Sequence, residues 1–233
     1  MTTIASRLQQ VQQRIAQACA VAGRRVDSVT LLAVSKTCPP ERIREAHGAG
    51  QRRFGENYVQ EALAKMDALG DLRASIEWHL IGPLQSNKTR AVAEHFDWVQ
   101  SVDRLKLAER LSAQRPAGLA PLQVCLQVNI SGEATKSGLA PGEVAAVARA
   151  VALLPGLRLR GLMAIPEPGT DFEAQRRPHR ALRELMAGLQ REGLAGLDTL
   201  SIGMSADLEA AIAEGATIVR VGTSIFGERG LTS

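Results

Sequence analysis

The sequence predicts an α/β protein, a (β/α)8 barrel of the TIM type with an extra helix at its N-terminus, and three observations predict it. Short apolar, β-branched runs alternate with helical patterns along the chain, eight such runs can be counted, and most are apolar at consecutive positions, as strands buried on both faces are. An open doubly wound sheet is the competing arrangement. It carries a glycine fingerprint after its first strand, whereas here that strand ends Ser35-Lys36-Thr37-Cys38-Pro39.

The elements follow in order. An amphipathic pattern over residues 2 to 22 opens the chain as a helix. Strands are then expected at Thr30 to Ser35, Arg53 to Gly55, Glu77 to Ile81, Trp98 to Ser101, Leu122 to Asn129, Arg158 to Ala164, Thr199 to Ile202 and Thr217 to Val221. Between them, spacing of 3.6 residues predicts helices at Glu41 to Ala49, Tyr58 to Leu69, Leu105 to Ala113, Glu143 to Leu153 and Pro178 to Glu192, with a further one beginning near Asp207. Pro39, Pro40 and Pro141 sit near helix starts, where a missing N–H costs least. No repeat and no long Pro/Gly/Ser linker interrupts the pattern, so one domain over 1–233 is expected.

Composition narrows the function. A chain of 233 residues with 45% apolar and 22% charged residues buries a large core without staples. Cys19, Cys38 and Cys125 are an odd number without metal-ligand spacing, which implies a reducing, cytoplasmic setting. Arg7 and Arg14 break the opening segment as a signal peptide, and Arg149 and Pro155 break the most apolar stretch, so no membrane association is expected. The formal charge is +4, but the basic residues are dispersed and only seven residues are aromatic, which argues against nucleic acid.

In a barrel the site lies where strands end, so the residues there carry the chemistry. Lys36 is the strongest signal. Of five lysines it alone continues an apolar strand, Leu31-Leu32-Ala33-Val34-Ser35, where partial dehydration of the amine favours condensation with a carbonyl. A lysine that snorkels to solvent is the plainer alternative. Ser201-Ile202-Gly203-Met204-Ser205 and Gly222-Thr223-Ser224 follow the seventh and eighth strands, where barrels often bind phosphate through backbone N–H groups. Arg220 shares its strand with Ile218, Val219 and Val221, and its register turns it into the barrel. There it either pairs with a carboxylate such as Glu56 or donates to an acceptor nitrogen on a bound ring. His79 is a packed core histidine or a site residue, and Asn57 a helix cap or a ligand contact. His47, His95 and His179 look like helix-surface residues, and Lys65 lies in a polar helical setting. With scattered histidines, no P-loop and no His-Glu-x-x-His, metal binding is not expected.

These features together resemble a pyridoxal phosphate (PLP) site, and the sequence resembles the pyridoxal phosphate homeostasis protein family, an alanine-racemase-like barrel without the racemase's second domain. The matching segments are Leu31 to Thr37, Phe54 to Tyr58, Trp78 to Lys88, Ser201 to Asp207 and Val219 to Gly227. The resemblance implies that Lys36 holds the cofactor as an internal aldimine and that Arg220 faces its pyridine nitrogen. Ser201, Ser205, Gly222 and Thr223 would surround the phosphate, with Asn57, His79 and Met204 near the ring. Two departures from the family's pattern are visible, Cys38 in place of a frequent lysine and Ile202 in place of a frequent methionine.

A guanidinium beside the pyridine nitrogen disfavours its protonation and weakens the cofactor as an electron sink. Racemases of this design also take a tyrosine from a second domain, and the only tyrosine here, Tyr58, has no evident place over the cofactor. The implied function is PLP storage, delivery or buffering, with apo PLP-dependent enzymes as recipients and no catalytic residue assigned. The alternatives are a single-domain PLP enzyme acting on amino acids, with His79 as base, and a Schiff-base aldolase for a phosphosugar. Lys88 and Lys136 are open as a secondary site. A closed barrel has no free sheet edge, so a monomer and a weak homodimer both fit.

Overall fold

The opening helix α1 (Ile4–Val21) buries Ile4, Leu8, Val11, Ile15 and Ala18, and this alternation of four- and three-residue steps makes one apolar stripe. Thr3 caps it, its hydroxyl oxygen accepting from the Ser6 N–H at 3.2 Å. The computed structural model describes residues 3–133 and 136–227. Thr2, where the opening helix was expected to start, and the two ends of the expected 1–233 domain lie outside the described residues.

The strands are β1 (Thr30–Val34), β2 (Arg53–Glu56), β3 (Glu77–Leu80), β4 (Trp98–Val102), β5 (Leu122–Gln127), β6 (Leu157–Met163), β7 (Thr199–Ser201) and β8 (Ile218–Val221). The helices that follow α1 are α2 (Pro40–Gly48), α3 (Val59–Ala68), α4 (Thr89–His95), α5 (Leu105–Gln114), α6 (Val144–Ala152), α7 (Phe172–Arg191), α8 (Leu208–Ala213) and α9 (Thr223–Phe226). All strand pairs are parallel and the sheet closes in sequence order, with β8 returning to β1 through the pairs Thr30 to Ile218 and Leu32 to Arg220. Every expected strand is present, and α1 packs outside the closure against α8, α9 and α2.

One expected helix needs correction. The helix expected from Pro178 begins six residues earlier, at Phe172, and Pro178 lies inside it. Proline there forfeits a bond to the Ala174 carbonyl, but the helix is held by its cap and by a buried face of His179, Leu182, Met186 and Leu189. Asp171 is that cap, its Oδ1 accepting from the Ala174 N–H at 2.9 Å. Asp171→Ala is expected to cost about 1 kcal/mol, read as a lower urea midpoint with an unchanged slope.

Side-chain alternation produces two different interiors. The larger core lies between strands and helices and holds Phe54, Trp78, Phe96, Leu107, Leu122 and Val124. Inside the barrel the apolar residues form two small clusters, Leu32 with Ile81 and Ile218, and Trp98 with Cys125 and Met163. The buried polar side chains of His79, Gln100, Ser201 and Arg220 run between them. Gly161 is required where β6 meets β7, because a Cβ there would lie 1.8 Å from the Thr199 carbonyl oxygen. The outer layer is stitched by Glu214, a buried carboxylate at the end of α8 that takes Arg176, Arg180 and Arg183 from α7 at 2.7, 2.9 and 3.0 Å. Among the described residues no helix is long and apolar enough to cross a membrane.

Candidate functional site

Lys36 sits just past the end of β1, on a turn whose next residue, Thr37, has φ of +62°. A β-branched residue in the left-handed region is strained, and the turn persists because the Thr37 N–H donates to Glu61 Oε1 at 2.5 Å. The turn places Lys36, half-buried, on the wall of a cavity of about 320 Å³ at the strands' C-terminal ends. A second lysine directly beneath it is consumed by the protein. Lys65 was expected in a polar setting, but its side chain is buried and Nζ donates to the Ser35 carbonyl at 2.7 Å, to Glu56 at 2.8 Å and to Glu61 at 2.5 Å. Glu56 also accepts from the Ser35 hydroxyl at 2.5 Å, and burial pushes its carboxyl above the usual range. Lys36 has no ion pair among the described residues, so the free amine in the cavity belongs to it.

Glu56 is therefore not the partner of Arg220. The guanidinium is buried and donates through Nη1 to the Ser201 carbonyl at 2.6 Å and hydroxyl at 2.8 Å, and through Nη2 to the Ala164 carbonyl at 2.8 Å. No carboxylate lies within ion-pair distance among the described residues, and burial pulls its pKa down to about 10. The group stays charged at neutral pH. Three of its five N–H donors are used, and the residue lines the cavity, so two donors remain for an acceptor placed there.

Part of the cavity wall comes from the turns after β7 and β8. The loop after β7 turns at Gly203, with φ of +88° and only 2.4 Å from a built Cβ to Ala211 Cβ, so no larger residue fits. The Met204 N–H donates to Asp207 Oδ1 at 2.6 Å, which ties the turn to the start of α8. The turn after β8 passes close to β1, a Gly222 Cβ lying 3.1 Å from the Val34 carbonyl oxygen. The N–H of Thr223 opens the short α9 and has no intrahelical acceptor. Ser205, Ala206, Gly222 and Thr223 line the same cavity, and among the described residues their N–H groups have no backbone acceptor, which suits an anion.

Asn57 does not cap α3, whose N-cap is Tyr58. Its Oδ1 is buried without a partner among the described residues, and the residue lines the cavity. Gly82 lets the chain pass there, a built Cβ falling 2.2 Å from the Asn57 carbonyl oxygen. Cys38 lines the cavity too, its thiol pushed up by burial, while Ile202 is packed in the core. Met204 and Ile165 form an exposed apolar rim. The lining contains no carboxylate, imidazole or phenol among the described residues.

Two expected ligand residues lie elsewhere. Ser201 is beneath the cavity floor, where it receives Arg220. His79 lines a separate cavity at the opposite end of the barrel with Arg53, Glu77, Trp98, Arg160 and Asp198. Its position on β3 turns the ring into the barrel interior, stacked on Trp98 with 5.1 Å between centroids. His179 is not a surface residue. It is buried on α7 and its Nε2 lies 2.9 Å from Asp207 Oδ2, so α7 braces the loop after β7. Sequence reasoning missed Gln100, although a glutamine inside the apolar run Trp98 to Val102 carries the same signal as Arg220.

The family model for the N-terminal domain of alanine racemase matches residues 6–230. The pyridoxal phosphate homeostasis protein of Pseudomonas aeruginosa is 62% identical over 229 residues, covering 98% of this chain and 97% of that one. The protein of the same name from Escherichia coli K12 is 54% identical over 230 residues, 98% of each chain. The structure of PipY from Synechococcus elongatus PCC7942 with PLP bound superposes with a TM-score of 0.83 at 41% identity, covering 97% of this chain and all of that one. Alanine racemase from Clostridium difficile 630 shares the fold, with a TM-score of 0.72 at 12% identity over 93% of this chain and 56% of that one.

Proposed function

Since the chain belongs to the pyridoxal phosphate homeostasis protein family, built on the alanine racemase N-terminal barrel, we propose that it binds PLP and serves its storage, delivery or buffering. The observation that carries this reading is the convergence of an unpaired lysine, a charged arginine with two spare donors and a cluster of free backbone N–H groups on one cavity. When bound, PLP supplies an aldehyde that condenses with a primary amine and an aromatic ring that conjugates with it. Lys36 provides the amine, and Arg220 donates to the ring nitrogen from the floor. The N–H groups of Ser205, Ala206 and Thr223 with the Thr223 hydroxyl hold the phosphate, and Asn57 and Met204 border the ring. Ser201 and His79 act on the site from behind it.

The lining favours a holder over an enzyme. Racemisation through two bases needs a group of tuned pKa on each face, and Lys36 is the one amine in the lining among the described residues. Tyr58 is exposed at the start of α3, outside the lining, and His79 is at the far end of the barrel. Apo PLP-dependent enzymes are the natural recipients of a cofactor held at an open, apolar-rimmed mouth.

The test is a titration with PLP followed by visible absorption. Wild type is expected to develop a band saturating at one equivalent, and Lys36→Ala to develop none while keeping its far-UV spectrum. Incubation with an amino-acid panel in heavy water is expected to give negligible Cα exchange. Robust exchange or transamination lost on Lys36→Ala would establish an enzyme instead.

A further inference from the structure

The barrel interior carries a chain of hydrogen bonds that all point one way. Arg220 Nη1 donates to Ser201 Oγ at 2.8 Å, and Ser201 Oγ donates to Gln100 Oε1 at 2.6 Å. Gln100 Nε2 then donates to His79 Nδ1 at 2.9 Å, and His79 Nε2 donates to Glu77 Oε1 at 2.9 Å. The chain runs from a buried cation on the cavity floor to a carboxylate at the other end of the barrel, through side chains that are nearly inaccessible. Each bond polarises the next, and the carboxylate end stabilises a guanidinium that has no carboxylate beside it.

The partners dictate the tautomer. With Nε2 donating to Glu77 and Nδ1 accepting from the Gln100 amide, His79 is a neutral ring protonated at Nε2. We propose that His79 is a positioning residue of the mouth cavity, whose Nδ1 acceptor fixes the Gln100 amide and through it the hydroxyl that holds Arg220, and whose protonation reverses that chain. A proton on Nδ1 faces the Gln100 NH2 group, so the amide must turn and present NH2 to Ser201. Gln100 and Arg220 then both donate to the Ser201 oxygen, its own hydroxyl hydrogen loses its acceptor, and the hold on Arg220 loosens. The ring that Arg220 faces in the reading above registers the change, and to that extent this inference rests on that reading.

The surroundings set where the ring titrates. Glu77 on β3 and Asp97 before β4 favour the charged ring, whereas burial, the largest effect, and Arg53 on β2 oppose it, holding His79 below the usual histidine range. Trp98 of β4 stacks on the ring, and the Arg160 guanidinium of β6 lies over the Trp98 ring at 5.0 Å while paired to Asp198. The chain therefore holds its donor direction at neutral pH and reverses in acid.

Three variants separate positioning from plain structure. His79→Asn keeps an amide oxygen near the Nδ1 position but cannot titrate, whereas His79→Leu and Gln100→Leu break the chain. With PLP bound, His79→Leu and Gln100→Leu should shift the visible band alike and raise Kd about three- to thirtyfold, with the double variant no worse than either single. His79→Asn should keep the wild-type band at neutral pH and lose its acid-side transition. Without cofactor, 15N NMR of the Arg220 Nε–H should follow the His79 titration in wild type and stay constant in His79→Asn. Identical spectra and Kd in all variants, additive losses in the double variant, or an Arg220 resonance indifferent to His79 would overturn the inference. A wild type that forms no Lys36-dependent band fails the PLP reading alone, and the NMR titration still decides this one.

Discussion

Lys65→Met is expected to lose about 3–5 kcal/mol of stability, because it strips the counter-ion from a carboxylate sealed in the barrel wall. Glu56 is inaccessible and would keep only the Ser35 hydroxyl at 2.5 Å as a donor. The pH dependence has a definite sign. Burial already raises the Glu56 pKa in the folded protein, and removing Lys65 raises it further. A carboxyl whose folded pKa lies above its unfolded value stabilises the fold fully below the unfolded pKa and ceases to do so as pH rises through the folded pKa. The deficit of Lys65→Met is therefore largest at neutral and alkaline pH and shrinks in acid as Glu56 takes a proton. Urea unfolding across that range measures it, and adding Glu56→Gln should recover most of the loss at neutral pH. A single-variant cost below about 1 kcal/mol would place the pair among solvent-screened surface bridges.

Arg220→Leu should separate binding from folding. A hydrogen bond to a charged donor is worth about 1.5–3 kcal/mol, so loss of the floor guanidinium should weaken PLP binding about 10- to 100-fold. Stability should change much less, since the substitution removes a buried cation that has no adjacent carboxylate while leaving the Ser201 and Ala164 carbonyls short of a donor. Arg220→Lys keeps a charge without the planar fork and should fall between the two. Isothermal titration with PLP and thermal unfolding of the same samples read both quantities. Unchanged affinity would remove Arg220 from the binding site.

The strands and the barrel closure were legible because their signal is local. Apolar, β-branched runs mark them, and strand parity alone turned Arg220 inward. Parity also applies to Gln100, but it cannot say at what height along the barrel a side chain sits. His79 and Arg220 are both interior, yet one lines the base and the other the mouth. Lys65 and His179 looked like solvent-facing helix residues because the buried partners that draw them inward, Glu56 and Asp207, lie 9 and 28 positions away on other elements, while Glu61 one turn before Lys65 suggests only a surface pair. Nothing within a helical pattern announces such a partner. The start of α7 was obscured by Pro178, a residue more often found in a first turn than in an interior one. The mouth cavity was legible in part, since its lysine and its two glycine-bearing turns each follow a strand, while neither the unpartnered Oδ1 of Asn57 nor the close approach of Gly82 to the Asn57 backbone has a local signal.

The central claim is that one amine, that of Lys36, anchors PLP in this cavity. Borohydride reduction of the protein loaded with one equivalent of PLP, followed by peptide mass mapping, tests it directly. The account predicts a single reduced adduct on Lys36, with Lys65 unlabelled because its amine is enclosed by Glu56, Glu61 and the Ser35 carbonyl. Label distributed over Lys88, Lys106 and Lys136 with Lys36 unmodified would contradict it.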